Sequence, residues 1–375
     1  MRVLLDVSAV PARPAGAGVY TWALARGLST SAGVELHLVT RRGDTERWAA
    51  LAPEAVLHAA TPVWRPARLA WEQAAAPKLA DRIAPDVWHG PHYTMPLRNR
   101  VPTVVTVHDL TFFDHPEWHE RSKVPYFRRM IKASARHAAA IVCVSEYTAT
   151  RLAAVAPPRG RVHVARHGVD HTTFRPDGDV ATDLALLAAH GIRPPYVGFV
   201  GTIEPRKAIP TLVAAFAPLA HTHRDLRLAI VGGDGWGATA VRDAIAASGV
   251  ATHVIRTGYV DDDVVPALYR QAAAVAYPSL EEGFGVPALE ALACGAPLGT
   301  TRGSALSEVV GDAALTVPPG ATDALTAALQ TLVGDTARAA ALRAAGPIQA
   351  RRFTWEASVA SHLDVYRSVS ARAAA

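Results

Sequence analysis

Lysine is almost missing from a basic chain. Only Lys78, Lys123, Lys132 and Lys207 stand among 38 basic residues, and the rest are arginine. With abundant alanine, this is the bias of a GC-rich genome. No Lys/Arg run exceeds two residues, so a polybasic nucleic-acid tract is excluded. Cysteine is equally scarce. Cys143 and Cys294 are the only two in 375 residues, and both sit in apolar surroundings. That excludes a disulfide framework or a cysteine-bound zinc and makes a reducing compartment the default. No apolar run approaches the ~18 residues needed to cross a bilayer. The chain opens on strand-like Arg2-Val3-Leu4-Leu5, without a basic-then-apolar leader. A cytoplasmic location is therefore expected.

Half the residues are apolar, so a core is affordable, and the length points to two domains. The net charge of +5 suits an anionic small substrate or an acidic membrane surface. Short apolar runs at 3–7, 34–39, 87–89, 104–107, 141–144 and 162–164 read as strands. Helical stretches at 20–28, 68–83, 126–139 and 146–153 separate them. A segment rich in Gly, Pro and Asp follows, from His167 to Gly178 and from Gly191 to Pro195. A second series has strands at 196–200, 226–231, 253–257, 273–276, 296–300 and 314–317. Its helices lie at 209–219, 238–247, 264–271, 287–293 and 322–333. Such alternation predicts two α/β domains, each a parallel sheet covered on both faces. Domain one spans residues 1–168 and domain two 169–352. An amphipathic helix closes the chain from Phe353, with Trp355, Val359, Leu363 and Tyr366 on one face. A ligand cleft between the two domains is expected.

The most informative stretch is Tyr277 to Gly295, YPSLEEGFGVPALEALACG. It reads as a strand end, a glycine-rich loop and a helix start. Pro287 suits the first helical position, Glu290 the first turn, and Gly295 the stop. Phe284 reads as an exposed aromatic. Gly283 and Gly285 let backbone approach a ligand. Glu282 and Glu290 stand eight apart, placed to accept hydrogen bonds from sugar or ribose hydroxyls. Elsewhere, Gly201-Thr202 ends a strand and leads into Arg206-Lys207, a basic pair able to hold a diphosphate. His108-Asp109 closes a first-domain strand. Gly16 and Gly18 open the first helix too far from the first strand for a nicotinamide-binding turn, and Arg41-Arg42 follow the second strand where an acid is required. Asp261-Asp262-Asp263 reads as a helix cap and first turn rather than a metal site. No His/Cys/Asp/Glu cluster has metal-ligand spacing, and no cofactor is implied.

The run from Pro278 to Ala291 fits P-S-x-x-E-G-F-G-x-P-x-x-E-A, and in this it resembles the donor-binding motif of family 4 glycosyltransferases. These are retaining enzymes of the GT-B fold. The resemblance extends over nearly the whole chain, through Val200 to Lys207, Thr106 to Leu110, Val144 to Tyr147 and His167 to Pro176. It departs where the family has Asn or Gly after the lysine and this chain has Ala208, and where Asn usually precedes Gly168 and this chain has His167.

The resemblance implies a GT-B pair of Rossmann-like domains, the C-terminal helix 353–371 packing back on the first. It implies metal-independent hexose transfer from a nucleoside diphosphate sugar to a hydroxyl acceptor: a glycan, a glycolipid or a small molecule. His108, Arg206, Lys207 and Glu282 are the implied catalytic residues. Donor binding falls to Gly16, Gly18, Gly201, Thr202, Arg206, Lys207, Tyr259, Val260, Glu282, Gly283, Phe284, Gly285, Val286 and Glu290. Glu290 is the ribose partner and Glu282 the partner of the transferred sugar. His108 faces the donor sugar, by its backbone carbonyl or its ring, with Asp109 orienting it or capping the next loop. His108-Asp109-Leu110 followed by His115-Pro116-Glu117 resembles members that use GDP-mannose, the first choice, with UDP-sugars the alternative. A nucleotide-sugar epimerase and a non-catalytic nucleotide-sugar binder are the rival classes. The basic helix at 126–136 is read either as a half-buried surface helix or as a contact with the inner face of a membrane.

Overall fold

The computed structural model describes residues 1–14 and 16–373. The chain divides into two compact units, Met1–Gly168 with Trp355–Ala375, and Val169–Thr354.

Unit 1 begins with β1 (Arg2–Asp6), α1 (Ala17–Ser29), β2 (Glu35–Arg41), α2 (Thr45–Leu51) and β3 (Val56–Thr61). It continues through α3 (Arg65–Ala74), α4 (Ala76–Ile83), β4 (Val87–Gly90), β5 (Thr103–Val107), α5 (Thr111–Asp114), α6 (Lys123–His137), β6 (Ala140–Cys143), α7 (Glu146–Val155) and β7 (Arg161–Val164). Its strands form one sheet in the order β3-β2-β1-β4-β5-β6-β7, and the pairings are parallel. Strands β4, β5 and β6 are buried along their whole length. That is why they read as mostly apolar runs without a polar face.

Unit 2 runs α8 (Val180–Ala189), β8 (Tyr196–Val200), α9 (Ile209–Thr222), β9 (Arg227–Val231), α10 (Ala238–Ala247), β10 (Val254–Gly258), α11 (Val264–Gln271) and β11 (Ala274–Tyr277). It ends with α12 (Val286–Ala293), β12 (Leu298–Thr301), α13 (Ala305–Val310), β13 (Leu315–Val317), α14 (Thr322–Gly334) and α15 (Thr336–Ala350). Its sheet is also parallel, in the order β10-β9-β8-β11-β12-β13.

The elements depart from the sequence expectation in several places. The stretch 68–83 is two helices, because Pro77 has no N–H to carry the ladder on and α4 restarts with it in the first turn. Strand β3 escaped notice because its outer position leaves Val56 exposed and its residues without a clean apolar pattern. Helices α8 and α15 are rich in alanine, which gives no contrast between faces, and α13 is only six residues long. The last helix, α16 (Trp355–Ala373), starts two residues after Phe353.

Helix α16 belongs to unit 1. Val359, Val365, Tyr366 and Val369 join Val3, Leu5, Tyr20 and Leu24 in one core. Gly27 in α1 makes the approach possible, since a Cβ there would lie 2.5 Å from a Val359 methyl. Beneath this contact runs a buried polar chain. The His362 ring bonds the Ser358 carbonyl through Nδ1 at 2.7 Å and the Tyr20 hydroxyl through Nε2 at 2.8 Å. Tyr20 meets the Thr106 hydroxyl at 2.8 Å, Thr106 meets His89 Nε2 at 2.8 Å, and His89 Nδ1 meets the Tyr366 hydroxyl at 2.6 Å. The carbonyl must accept from Nδ1–H, so Tyr20 donates to His362. Thr106 then donates to Tyr20, His89 to Thr106, and Tyr366 to His89. Every proton is used once, with both imidazoles neutral.

Burial pushes these histidines down: His362 to about 4, and His89 well below its ordinary value. His92, at about 3, and His167 lie in the same unit and shift the same way. A histidine depressed in the fold binds protons more readily when unfolded, so its contribution is lost as pH falls below about 6.5. For His362 the shift corresponds to roughly 3 kcal/mol at full titration. Tm of the wild type should therefore drop more steeply between pH 7 and 5 than Tm of His362→Gln. Parallel profiles would show that His362 titrates normally in the fold.

Candidate functional site

A parallel α/β sheet offers ligands the carboxyl ends of its strands, at the point where strand order reverses. In unit 2 that point lies between β8 and β11. Strand β8 delivers Gly201 and Thr202, then a short helical turn carrying Arg206 and Lys207. Strand β11 delivers Tyr277, Ser279 and the loop to α12.

These two loops meet through charge. Glu282 is only 7% exposed. Its Oε1 accepts from Lys207 Nζ at 2.6 Å and from the Tyr277 hydroxyl at 2.9 Å. Its Oε2 lies 2.5 Å from Arg206 Nη1. Lys207 also donates to the Tyr277 hydroxyl and lies over that ring, 4.5 Å from its centre. Glu204 holds Arg206 Nε at 3.1 Å. Burial works to raise Glu282, but Arg206 and Lys207 outweigh it and keep the carboxylate well below its usual range. Burial, aided by Arg206, pulls Lys207 down to about 8 against the pull of Glu282. For Arg206 burial is outweighed by Glu282 and Glu204, and its affinity for the proton rises.

The motif therefore has a different interior from the one its sequence suggests. Glu282 is buried and locked between two cations. Phe284 is not exposed. It is 4% accessible and packs edge-on against Phe353, 5.8 Å between ring centres. Val286 opens α12, so Pro287 is its second residue. Glu290 is its fifth, beyond the first turn, where no dipole benefit holds it ionised. Burial, with Asp262 nearby, pushes Glu290 up to about 8, and Tyr269 opposes this. Gly285 adopts φ 99°, and a Cβ there would lie 2.4 Å from Leu306 Cδ2. The loop's tight turn into α12 thus requires glycine.

The remaining expected residues are spread around this centre. Gly201 and Thr202 follow directly after β8, Thr202 being exposed. Gly283 lies half-buried between Glu282 and Phe284. Past β10, Tyr259 is 48% exposed while Val260 is 5% exposed. Asp263 takes the N-cap position of α11 without a side-chain cap bond. Ala208 adopts φ 49°, a left-handed conformation that costs an L-residue roughly 1–2 kcal/mol. That is the physical sense of the Asn or Gly that the resemblance led us to expect there. Tyr277 and Ser279 were overlooked in the sequence, although they stand in the quoted run. The Gly232-Gly233 turn after β9 was also overlooked, although four glycines between Gly232 and Gly237 signal it.

In unit 1, Gly16 is the exposed N-cap of α1 and Gly18 is buried in its first turn. Ala15, in the same loop, lies outside the described residues. The His108 ring is buried and donates from Nε2 to the Pro91 carbonyl at 2.7 Å, while its own carbonyl accepts from Thr148 at 3.3 Å. Asp109 does not orient that ring. It caps the following turn through Thr111 N–H at 3.1 Å and takes the Tyr93 hydroxyl at 2.9 Å. Ser145 caps α7, accepting from Thr148 N at 3.0 Å. On α6, Arg128 donates to the Phe112 and Phe113 carbonyls, while Arg129, Lys132 and Arg136 are exposed. Among the described residues no group of three His, Cys, Asp or Glu could hold a metal ion, and no helix is long and apolar enough to cross a membrane.

The family model "Glycosyltransferase Family 4" matches residues 14–173, and "Glycosyl transferases group 1" matches 194–335. O-antigen chain mannosyltransferase B of Escherichia coli is 31% identical over 299 residues, spanning 75% of this chain and 74% of that protein. The chain is a family 4 glycosyltransferase. D-inositol 3-phosphate glycosyltransferase of Rhodococcus jostii is 36% identical over 215 residues, 55% of this glycosyltransferase and 47% of the relative. Among solved structures, sucrose-phosphate synthase from Thermosynechococcus elongatus matches with TM-score 0.82 and 22% identity over 99% of each chain. HepE of Anabaena, determined with UDP-glucose, matches with TM-score 0.78 and 19% identity over 98% of this chain and 100% of that one. At such identity these structures show the fold, which is GT-B with two Rossmann-like units. The enzyme class is hexosyltransferase.

Removing Glu282 would leave Arg206 and Lys207 facing each other without their shared counter-ion. Breaking a buried pair in this way costs about 3–5 kcal/mol. Urea denaturation of Glu282→Ala should show a loss of that order. A loss near the surface-pair scale, below ~1 kcal/mol, would contradict the geometry.

Proposed function

We propose that this glycosyltransferase moves a hexose from a nucleoside diphosphate sugar to a hydroxyl acceptor with retention of anomeric configuration, mannose from GDP-mannose being the first choice. The observation that carries this reading is the Arg206–Lys207–Glu282 cluster at the switch point of unit 2. Glu282 bridges the two cations and Glu204 holds Arg206 from its other side, which fixes a guanidinium and an ammonium side by side at a partly enclosed position. Charge develops on the diphosphate as the glycosidic bond breaks. Fixed cations meet it there without reorganising.

Each side chain has a distinct job in this reading. Arg206, with its planar fork, takes two phosphate oxygens, and Lys207 acts as a point charge. Lys207 sits near pH 8 in the free protein, and an arriving diphosphate holds its proton on. Glu282 positions both cations, and sugar hydroxyls meet it only at the edge it leaves exposed. Glu290 takes the ribose diol; accepting from two hydroxyls favours its ionised form against the burial that raises it. Gly283 and Gly285 bring the loop backbone close to the ligand. The donor's own phosphate assists deprotonation of the acceptor, so no nucleophile–base pair is needed. This cationic pair does the neutralising that a divalent ion does in metal-dependent transferases. The name of the Escherichia coli relative supports mannose. The HepE complex with UDP-glucose keeps a UDP-sugar donor as the alternative.

A thermal-shift panel of GDP-, UDP-, ADP- and TDP-sugars tests the donor. GDP-mannose should give the largest rise in Tm, and a larger rise with a UDP-sugar would overturn the mannose choice. Arg206→Ala should lower the rate of transfer, or of slow donor hydrolysis, by about 10²–10³-fold. An unchanged rate would remove the cluster from the chemistry.

A further inference from the structure

Unit 1 has a switch point of its own, between β1 and β4. Asp6 is the last residue of β1, and His92 follows two residues after β4. Helix α3 brings Arg68 and Glu72 to the same place, and α6 brings Tyr126. Glu72 is 7% exposed, and the donors that reach it are neutral. Thr94 Oγ1 donates at 2.7 Å and Gln73 Nε2 at 3.2 Å. Asp6 accepts the Ser8 N–H at 3.0 Å, while Arg68 spends Nη1 on the Ser8 carbonyl at 2.6 Å. No ion pair among the described residues contacts Asp6 or Glu72. The Tyr126 hydroxyl is fully enclosed and has no hydrogen-bond partner. It feels the Glu72 carboxyl directly.

A fold gains nothing by burying the Glu72 carboxyl and the Tyr126 hydroxyl in this way beside a half-buried Asp6. Such groups cost desolvation unless a partner arrives. Burial raises Asp6, and it raises Glu72 to about 7, with Asp6 adding to that rise and Thr94 opposing it. A cluster used only for packing would have direct cation contacts, as Asp183 has with Arg270 at 2.5 Å in unit 2.

We propose that Asp6, Glu72 and Tyr126 form the specificity-determining part of an acceptor subsite that takes a neutral, hydroxyl-rich ring and rejects the same ring carrying a phosphate. The proposal rests on the transferase reading given above. Hydroxyls of a pyranose or cyclic polyol donate to the two carboxyls and satisfy the enclosed tyrosine oxygen. A phosphate dianion would meet two acids, one of them buried, with Arg68 already facing both.

Saturation-transfer NMR on the full chain with bound GDP tests this. The probes are methyl α-D-mannopyranoside and myo-inositol, each beside its monophosphate. Neutral rings should give the stronger contact signals. Glu72→Gln and Tyr126→Phe should each weaken neutral-ring binding by about tenfold, the scale of one lost hydrogen bond. Tyr126→Phe removes a hydroxyl without an internal partner, so its Tm should equal or exceed that of the wild type and its effect reads binding rather than folding. Preference for the phosphorylated ring, absence of any neutral-ring signal, or unchanged binding in both variants overturns the proposal. GDP binding is scored separately by thermal shift. Its failure overturns the GDP-mannose choice of donor, while the ring signals and their response to Tyr126→Phe still decide the subsite.

Discussion

Three charged side chains of unit 2 share one small volume: Glu282, Arg206 and Lys207. None of them is affordable there alone. Burial raises the acid and lowers the lysine, and only mutual pairing keeps all three ionised. The loop after β8 and the loop after β11 are therefore tied to each other by electrostatics rather than by packing. The Leu280 N–H donating to the Arg206 carbonyl at 2.8 Å seals the same junction. A site held in this way is rigid before any ligand arrives. An anion entering it competes for cations whose positions are already fixed.

The motif's spacing was legible, but its interior was not. Fourteen residues from Pro278 to Ala291 sufficed to suggest the family, and the family models with the Escherichia coli relative establish it. What a linear pattern cannot carry is the partner of each side chain. Glu282 is buried because Arg206 and Lys207 stand about 75 positions earlier in the chain, at 2.5 and 2.6 Å in space. Phe284 is covered by Phe353, from the far end of unit 2. Glu290 was misplaced for a local reason: one residue's shift in the start of α12 moves it out of the first turn. Buried strands such as β4 and β5 announced themselves by apolar runs. The outer strand β3 and the alanine-rich helices α8 and α15 did not, because none of them has two contrasting faces.

Unit 1 follows the same physics with hydrogen bonds in place of ion pairs. The chain from Ser358 through His362, Tyr20, Thr106 and His89 to Tyr366 joins α16, α1, β5 and β4. His108 belongs with these buried imidazoles. Its ring is 5.2 Å from Tyr20 and 5.8 Å from His167, and burial lowers it despite the Pro91 bond. The histidine at 167, where the resemblance led us to expect asparagine, is thus a packed ring between Tyr20 and Trp355. At both switch points the polar groups exceed what packing requires, and both lie where a parallel sheet presents its ligands.

The most direct measurement of the central claim is a crystal structure of the full chain with GDP bound. The account predicts phosphate oxygens within hydrogen-bond distance of both Arg206 and Lys207, with Glu282 still bridging the two cations from behind. A GDP molecule whose phosphates touch neither side chain, with the pair still closed on Glu282 alone, would contradict it.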